Sequence, residues 1–210
     1  MSQRRQELLD LSARLFAERG YGATTVRDIA DEAGILSGSL YHHFQSKEEI
    51  VDEILSTFLD ELFTSYREVM AQDLGARQKL EAVVVESFEC IDRHHAAVAI
   101  FQNEAKKLAQ SARFSYLNDR GREFRELWQQ ILQDGVRTGA FRPGLDIDLV
   151  FRFIRDTVWV AVRWYQPGGR LSAQTVAAQY LDILLDGIAA RRGRSRVANG
   201  IQTPKEKQRA

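Results

Sequence analysis

The chain has 210 residues, of which 44% are apolar, so it can bury a core as one domain or as a small module fused to a larger one. It has no run of about eighteen apolar residues and no apolar N-terminal segment, which excludes a membrane span and a secretory signal, and we expect a cytoplasmic protein. The 29 Lys and Arg residues balance the 29 Asp and Glu residues, so any surface for nucleic acid must be local.

The spacing of apolar residues predicts an all-α fold. They recur every three or four residues, as at Leu8, Leu11 and Leu15, and the first 142 residues contain no proline. The best strand candidate, residues 83–85, lies in a segment that keeps the helical spacing. A first helix should end at Gly20, two short helices follow within 25–44, and longer helices are predicted at about 46–71, 75–94, 97–109, 114–138, 146–165 and 172–190.

Helix lengths divide the chain into a short-helix module, residues 1–47, and a helical body, residues 48–190. Residues 191–210 carry seven basic residues and one acid. We expect a flexible, solvated basic tail there, with a non-specific DNA-contacting arm as the alternative.

Residues 25–44 have the pattern of a helix-turn-helix. An apolar face over 26–33 is followed by a turn at Gly34, and Leu40 and Phe44 form the inner face of a second short helix. Such a motif presents small polar residues to base edges in the major groove, here Ser37, Gly38 and Ser39. Spacing alone also fits an ordinary helical hairpin.

Residues 15–21, 24–30 and 38–49 closely resemble the TetR family of bacterial repressors. The resemblance covers the first fifty residues without a gap. It implies an N-terminal helix-turn-helix module for DNA binding and a helical-bundle domain for ligand binding and dimerisation. It further implies a nucleoid-associated homodimer that binds a palindromic double-stranded operator and is not an enzyme.

The resemblance also assigns DNA contacts by position. Thr25 and Arg27 would meet the phosphate backbone, and Lys47 would bind a phosphate at the start of the fourth helix. The groove-facing residues would be Ser37, Gly38, Ser39, Tyr41 and His42.

Charge and departures from the family pattern limit what those assignments imply. Residues 1–47 hold six basic and six acidic residues, so we expect a local positive surface from Arg4, Arg5, Arg27 and Lys47. Three positions depart from the family pattern, so the preferred bases do not follow from the resemblance: Leu36, Ser37 and His43.

The segment 146–165 is apolar around most of its circumference, which predicts burial against both the body and a partner chain. A dimer would also place two recognition helices about 34 Å apart, in successive major grooves.

The polar residues of that segment share a stripe about 100° wide. The stripe contains Arg152, Arg155, Asp156, Trp159 and Arg163. One interpretation is a solvated face with an Arg152–Asp156 pair worth a few tenths of a kcal/mol. The other is an anion-binding wall of an effector pocket, on which Trp159 stacks against a planar or apolar group.

Residues 24–55, 113–117 and 141–169 resemble a narrower group of the family, the actinobacterial repressors of late cholesterol ring catabolism. This implies no cofactor and, as effector, a CoA thioester of a steroid-derived indanedione propanoate. Arg155 and Trp159 match ligand-cleft residues of that group, and Arg163 is a third candidate by position. The apolar part of the effector would contact Phe114, Tyr116 and Trp128, unless these three residues belong to the core. A fatty acyl-CoA or another hydrophobic effector is the alternative.

The sequence offers little for an enzyme or a metalloprotein. Cys90, the single cysteine, precedes His94 by one helical turn, but nothing nearby completes a zinc site. No glycine-rich phosphate loop or nucleophile elbow occurs. We therefore expect Cys90 in the core and no bound metal.

Overall fold

The computed structural model describes residues 3–186, in which every regular element is a helix. In chain order the helices are α1 (Gln3–Arg19), α2 (Val26–Glu32), α3 (Ser37–Leu40), α4 (Lys47–Ala71), α5 (Ala76–Arg93), α6 (His95–Leu108), α7 (Tyr116–Thr138), α8 (Ile147–Val160) and α9 (Ala173–Asp186). Short 3₁₀ turns at Ala112–Phe114 and Ala161–Arg163 precede α7 and follow α8. The predicted all-α fold is confirmed, and the strand candidate lies inside α5.

The capping residue and the turn of the N-terminal module form as the sequence predicts. Thr25 caps α2, and its hydroxyl accepts the backbone N–H of Asp28 at 3.1 Å. The Asp28 carboxylate in turn accepts the Thr25 N–H at 2.7 Å and the Thr25 hydroxyl at 2.6 Å. The hydroxyl bond is the main reason that the pKa of Asp28 is lowered. Gly34 then makes the turn with a φ of +67°, which favours glycine.

The core of the body is built around α5, which packs against α4, α7, α8 and α9. Phe58 and Tyr66 of α4 are buried there, together with Phe88 of α5 and Trp128 of α7. The Tyr66 hydroxyl and the Ser87 hydroxyl form a buried hydrogen bond of 2.5 Å between α4 and α5. The middle of α4 is therefore anchored on the centre of the body.

Two predicted helix ends differ from the structure. The recognition helix α3 has a single turn, and residues 41–43 continue as a turn. The segment 146–165 is not one α-helix, because its end tightens to 3₁₀ and Trp164 and Tyr165 both donate to the Ala161 carbonyl. The last helix is described as far as Asp186, and the predicted basic tail lies outside the described residues.

Candidate DNA-binding surface and effector cavity

The helix-turn-helix is held together from beneath by apolar side chains. Ile29 of α2, Leu40 of α3 and Phe44 just beyond it are at most 2% exposed. Tyr41 and His42 are exposed, whereas Ser37 and Ser39 are half-buried. The predicted groove-facing residues thus lie together on or just after α3.

The predicted positive surface is smaller than the sequence suggested. Arg27 is exposed, and its guanidinium lies 3.7 Å from the Asp31 carboxylate. Arg4 donates to Glu7 at 2.9 Å and to the Ala33 carbonyl at 3.1 Å, so it supports the end of α2.

The prediction that Arg5 contributes to the positive surface is wrong. Its guanidinium makes a two-point ion pair with Glu53 of α4 and lies 4.5 Å above the Phe44 ring. Because Glu53 neutralises its charge between α1 and α4, Arg5 ties these helices together and adds little to a DNA-facing surface.

Lys47, predicted to bind a phosphate, has a structural role as well. Its ammonium donates to the Tyr21 and Thr24 carbonyls, both at 2.9 Å, and lies 4.3 Å above the Tyr21 ring. An ammonium has three N–H donors, so one is left over for a phosphate. The first residue of α4 is therefore clamped to the loop between α1 and α2.

Thr25, predicted to meet the phosphate backbone, is exposed, but its hydroxyl donates to Asp28 within the capping box. Its exposed position at the start of α2 is compatible with a backbone contact. The assigned DNA contacts remain predictions.

A cavity of about 370 Å³ opens between α4, α6, α7 and α8. The apolar residues of its walls are mostly aromatic. They include Phe58, Phe63, Phe101, Phe124, Phe151 and Trp159. The size and lining are those of a small-molecule site in a helical body.

Four arginines line the same cavity. Arg120, Arg122 and Arg125 come from the start of α7, and Arg155 comes from α8. Arg125 has no ion-pair partner within residues 3–186 and lies 5.8 Å from the Phe151 ring centre. An apolar cavity bordered by guanidiniums suits a ligand with a ring system at one end and anionic groups at the other.

Two predicted ligand residues, Arg155 and Trp159, do line this cavity. Arg155 is half-buried and pairs with Asp156 at 2.6 Å. Trp159 is 4% exposed, contacts Phe58 and Phe124 edge to face, and its indole N–H has no hydrogen-bond partner within the described residues. A buried donor without a partner is costly, and a ligand oxygen would satisfy it.

Other predicted ligand contacts lie elsewhere. Arg152 is exposed, and the expected Arg152–Asp156 pair is replaced by Arg155–Asp156 between sequence neighbours. Arg163 lines a different cavity of about 400 Å³ beside Arg14 of α1, although Gln102 borders both cavities. The position of Arg163 follows from the 3₁₀ turn, which rotates residues after Val160 away from the predicted stripe.

The predicted apolar contacts also lie outside the cavity lining. Phe114 and Trp128 are buried in the core, as their alternative interpretation held. Tyr116 is half-buried, and its hydroxyl donates to Asp52 of α4 at 3.0 Å. It lines a shallow polar cleft between α4 and α7 instead.

Sequence reasoning missed the contribution of α7. A signal was present in Arg120-Gly121-Arg122, where a glycine interrupts a helical pattern between two cations. Gly121 lines the cavity, and a Cβ added there would meet no atom within 4 Å. The backbone of Gly121 therefore borders open space.

Helix α4 connects the cavity with the DNA-binding module. Its N-terminal residue Lys47 is clamped to the α1–α2 loop, and Phe58 and Phe63 farther along form cavity walls. Asp60 of the same helix pairs with Arg120, which also lines the cavity. A ligand in the cavity would therefore touch the helix that positions α3.

Cys90 is buried, and the two histidines that follow it are hydrogen-bonded. Burial raises the pKa of the Cys90 thiol to about 12, which keeps it protonated near neutral pH. His94 pairs with Glu61 at 2.6 Å, and His95 bonds to the Tyr165 carbonyl at 3.0 Å. Within residues 3–186, no three His, Cys, Asp or Glu side chains gather as metal ligands.

Two family models together match most of the chain. One, described as bacterial regulatory proteins of the tetR family, matches residues 8–54, and the other, a Tetracyclin repressor-like C-terminal domain, matches residues 73–188. The chain belongs to the TetR family. Its members are transcriptional regulators and not enzymes, so the exposed end of α3 belongs to a DNA-binding element.

Relatives within the TetR family include the HTH-type transcriptional repressor KstR2 of Rhodococcus jostii (strain RHA1), 61% identical over 90% of this chain and 93% of that protein. The solved structure of the ketosteroid transcriptional regulator KstR2 of Mycobacterium tuberculosis is 57% identical, covers 90% of this chain and 97% of its own, and gives a TM-score of 0.86. AibR, solved with isovaleryl coenzyme A and operator DNA, is 22% identical, with 87% and 98% coverage and a TM-score of 0.74, and shares the fold. The chain is thus a TetR-family transcriptional repressor similar to KstR2. Its described helices include none that is apolar and long enough to cross a membrane.

Proposed function

We propose that this chain is a homodimeric repressor of steroid-catabolism genes that leaves its palindromic operator when it binds a CoA thioester of a steroid-derived indanedione propanoate. The main support is the cavity that joins aromatic walls to four arginines. A ketosteroid regulator among the relatives supports the steroid part of the proposal.

The cavity suits the two ends of such a ligand. A rigid bicyclic head would lie among Phe58, Phe124 and Trp159 with little loss of internal freedom, and a head-group carbonyl would accept the unpartnered indole N–H. The CoA phosphates would pair with guanidiniums such as Arg125, which has no acidic partner within residues 3–186. AibR indicates that this fold can hold a CoA thioester.

The exposed apolar residues on one face of α8 support the proposal of a dimer. Leu149, Phe153 and Val160 are exposed, and their spacing places them on one side of the helix. Trp164, just after α8, and Ile183 of α9 are also exposed. A partner chain that packs α8 and α9 against these residues would remove this apolar surface from water.

Release follows from the contacts of α4. If an anionic group draws Arg120 from Asp60 while the ligand head presses on Phe58 and Phe63, the position of α4 relative to the body changes. Because Lys47 clamps α4 to the loop that precedes α2, the two recognition helices of the dimer change their separation. A shift from 1:99 to 99:1 between the two states takes about 5.5 kcal/mol of differential binding.

A gel shift on the DNA upstream of the chain's own gene tests the proposal. The indanedione-propanoyl-CoA should release the DNA at lower concentration than a fatty acyl-CoA, and free CoA should not release it. Release by the fatty acyl-CoA alone would replace the steroid effector with a fatty one. Release by none of the three would contradict an acyl-CoA effector.

The variant Arg155→Ala tests the cavity itself. It should bind operator as the wild type does but need at least tenfold more CoA thioester for release, because a charge-assisted contact is lost. Arg137→Ala is the matched control, since Arg137 of α7 also pairs with a nearby acid, Asp134 at 2.9 Å, and does not line the cavity. Equal release of both variants would remove Arg155 from the site.

A further inference from the structure

Two residues at the start of the recognition helix are unfavourable for the isolated chain. Leu36 occupies the N-cap of α3 without a side-chain hydrogen bond and is 81% exposed. A serine or threonine would cap the helix better by about 1 kcal/mol and would expose no apolar surface. The fold therefore gives no reason for a leucine at this position.

Gly38, in the first turn of α3, is unexplained in the same way. Its φ is not positive, and a Cβ added there would meet no atom within 4 Å. An alanine would fit and would favour the helix by about 0.5–1 kcal/mol. Residues that are unfavourable for helix capping or helix propensity, and that do not stabilise the fold, are expected where they contact a ligand.

The ligand for this surface is the operator, because the N-terminal end of a recognition helix approaches base edges in the major groove. Among the groups exposed in that groove, the C5 methyl of thymine is the apolar one. We propose that Leu36 reads a thymine in each operator half-site by packing on its C5 methyl, and that Gly38 lets the helix backbone approach that base pair closely. This inference rests on operator binding and is independent of the effector.

Uracil provides the test, since it pairs as thymine does but lacks the methyl. A palindromic duplex selected by the purified protein from randomised DNA is remade with uracil at one thymine of each half-site in turn. At one position wild-type affinity should fall about fourfold per half-site, the factor for one buried methyl. Leu36→Ala should bind the thymine and uracil forms of that duplex equally, and Leu36→Met should keep the difference.

The comparison of protein variants on both duplexes cancels any effect of uracil on the DNA itself. Gly38→Ala should weaken binding to the selected duplex at least tenfold while leaving binding to random DNA within twofold. The proposal is overturned if no uracil position affects wild-type affinity, or if Leu36→Ala shows the same loss as the wild type. In both cases the wild type still binds the selected duplex, so operator binding itself stands.

Discussion

The DNA-binding module and the effector cavity are built in different ways. The helix-turn-helix of the module is shaped by short-range contacts, such as the Thr25–Asp28 capping box and the Gly34 turn, within twenty consecutive residues. Arg5 and Lys47 add longer-range contacts to it. The cavity is lined by residues of four helices, from Phe58 to Trp159. A short motif can therefore be recognised in the sequence, whereas the cavity exists only after the body has packed.

Alanine variants of Lys47 and Arg27 test whether the clamp at the start of α4 holds the DNA-binding module. Arg27→Ala should weaken operator and random DNA alike and reduce the salt slope by about 0.9, with unchanged thermal stability, because Arg27 is exposed. Lys47→Ala should lose more than tenfold in operator affinity and also melt at lower temperature, because two hydrogen bonds from a charged donor are lost.

The two variants are compared by salt-dependent DNA binding and by thermal melting, at one protein concentration. If Lys47→Ala melts as the wild type does and binds like Arg27→Ala, the clamp between α4 and the α1–α2 loop is not what holds the module.

Alanine variants of two glycines in α7 test the difference between the open cavity and the packed body. Gly121 faces open space, so Gly121→Ala should raise the melting temperature by about 2 °C through better helix propensity. A Cβ at Gly135 would lie 2.0 Å from the Phe141 ring, so Gly135→Ala should lower the melting temperature by several degrees through overpacking. Calorimetry of both variants checks the pair. Destabilisation by Gly121→Ala would mean that no space exists beside α7.

The sequence predicted those parts that depend on nearby residues. Helix periodicity and capping residues were sufficient for the all-α fold, the turn at Gly34 and the start of α4. The end of α8 was missed, because periodicity alone does not distinguish an α-helix from its 3₁₀ continuation through Arg163. The stripe on α8 identified Arg155 and Trp159 but also included Arg152 and Arg163, which do not line the cavity between α4, α6, α7 and α8.

Long-range partners account for the remaining differences. Arg5 looked like a DNA contact until Glu53, 48 residues away, proved to neutralise it. Arg120 and Arg125 are isolated charges in the sequence, and only the packed body places them beside the aromatic walls supplied by other helices. Such pairings depend on helix packing, which a single sequence does not specify.

A linked titration measures whether the effector cavity and the DNA-binding surface are coupled through α4. The operator dissociation constant is measured with and without saturating indanedione-propanoyl-CoA, and the ligand dissociation constant with and without saturating operator. Coupling through two states requires the same factor in both directions, and we predict at least 100-fold weakening in each. Equal ligand affinity for free and operator-bound protein would show that the two sites are not coupled.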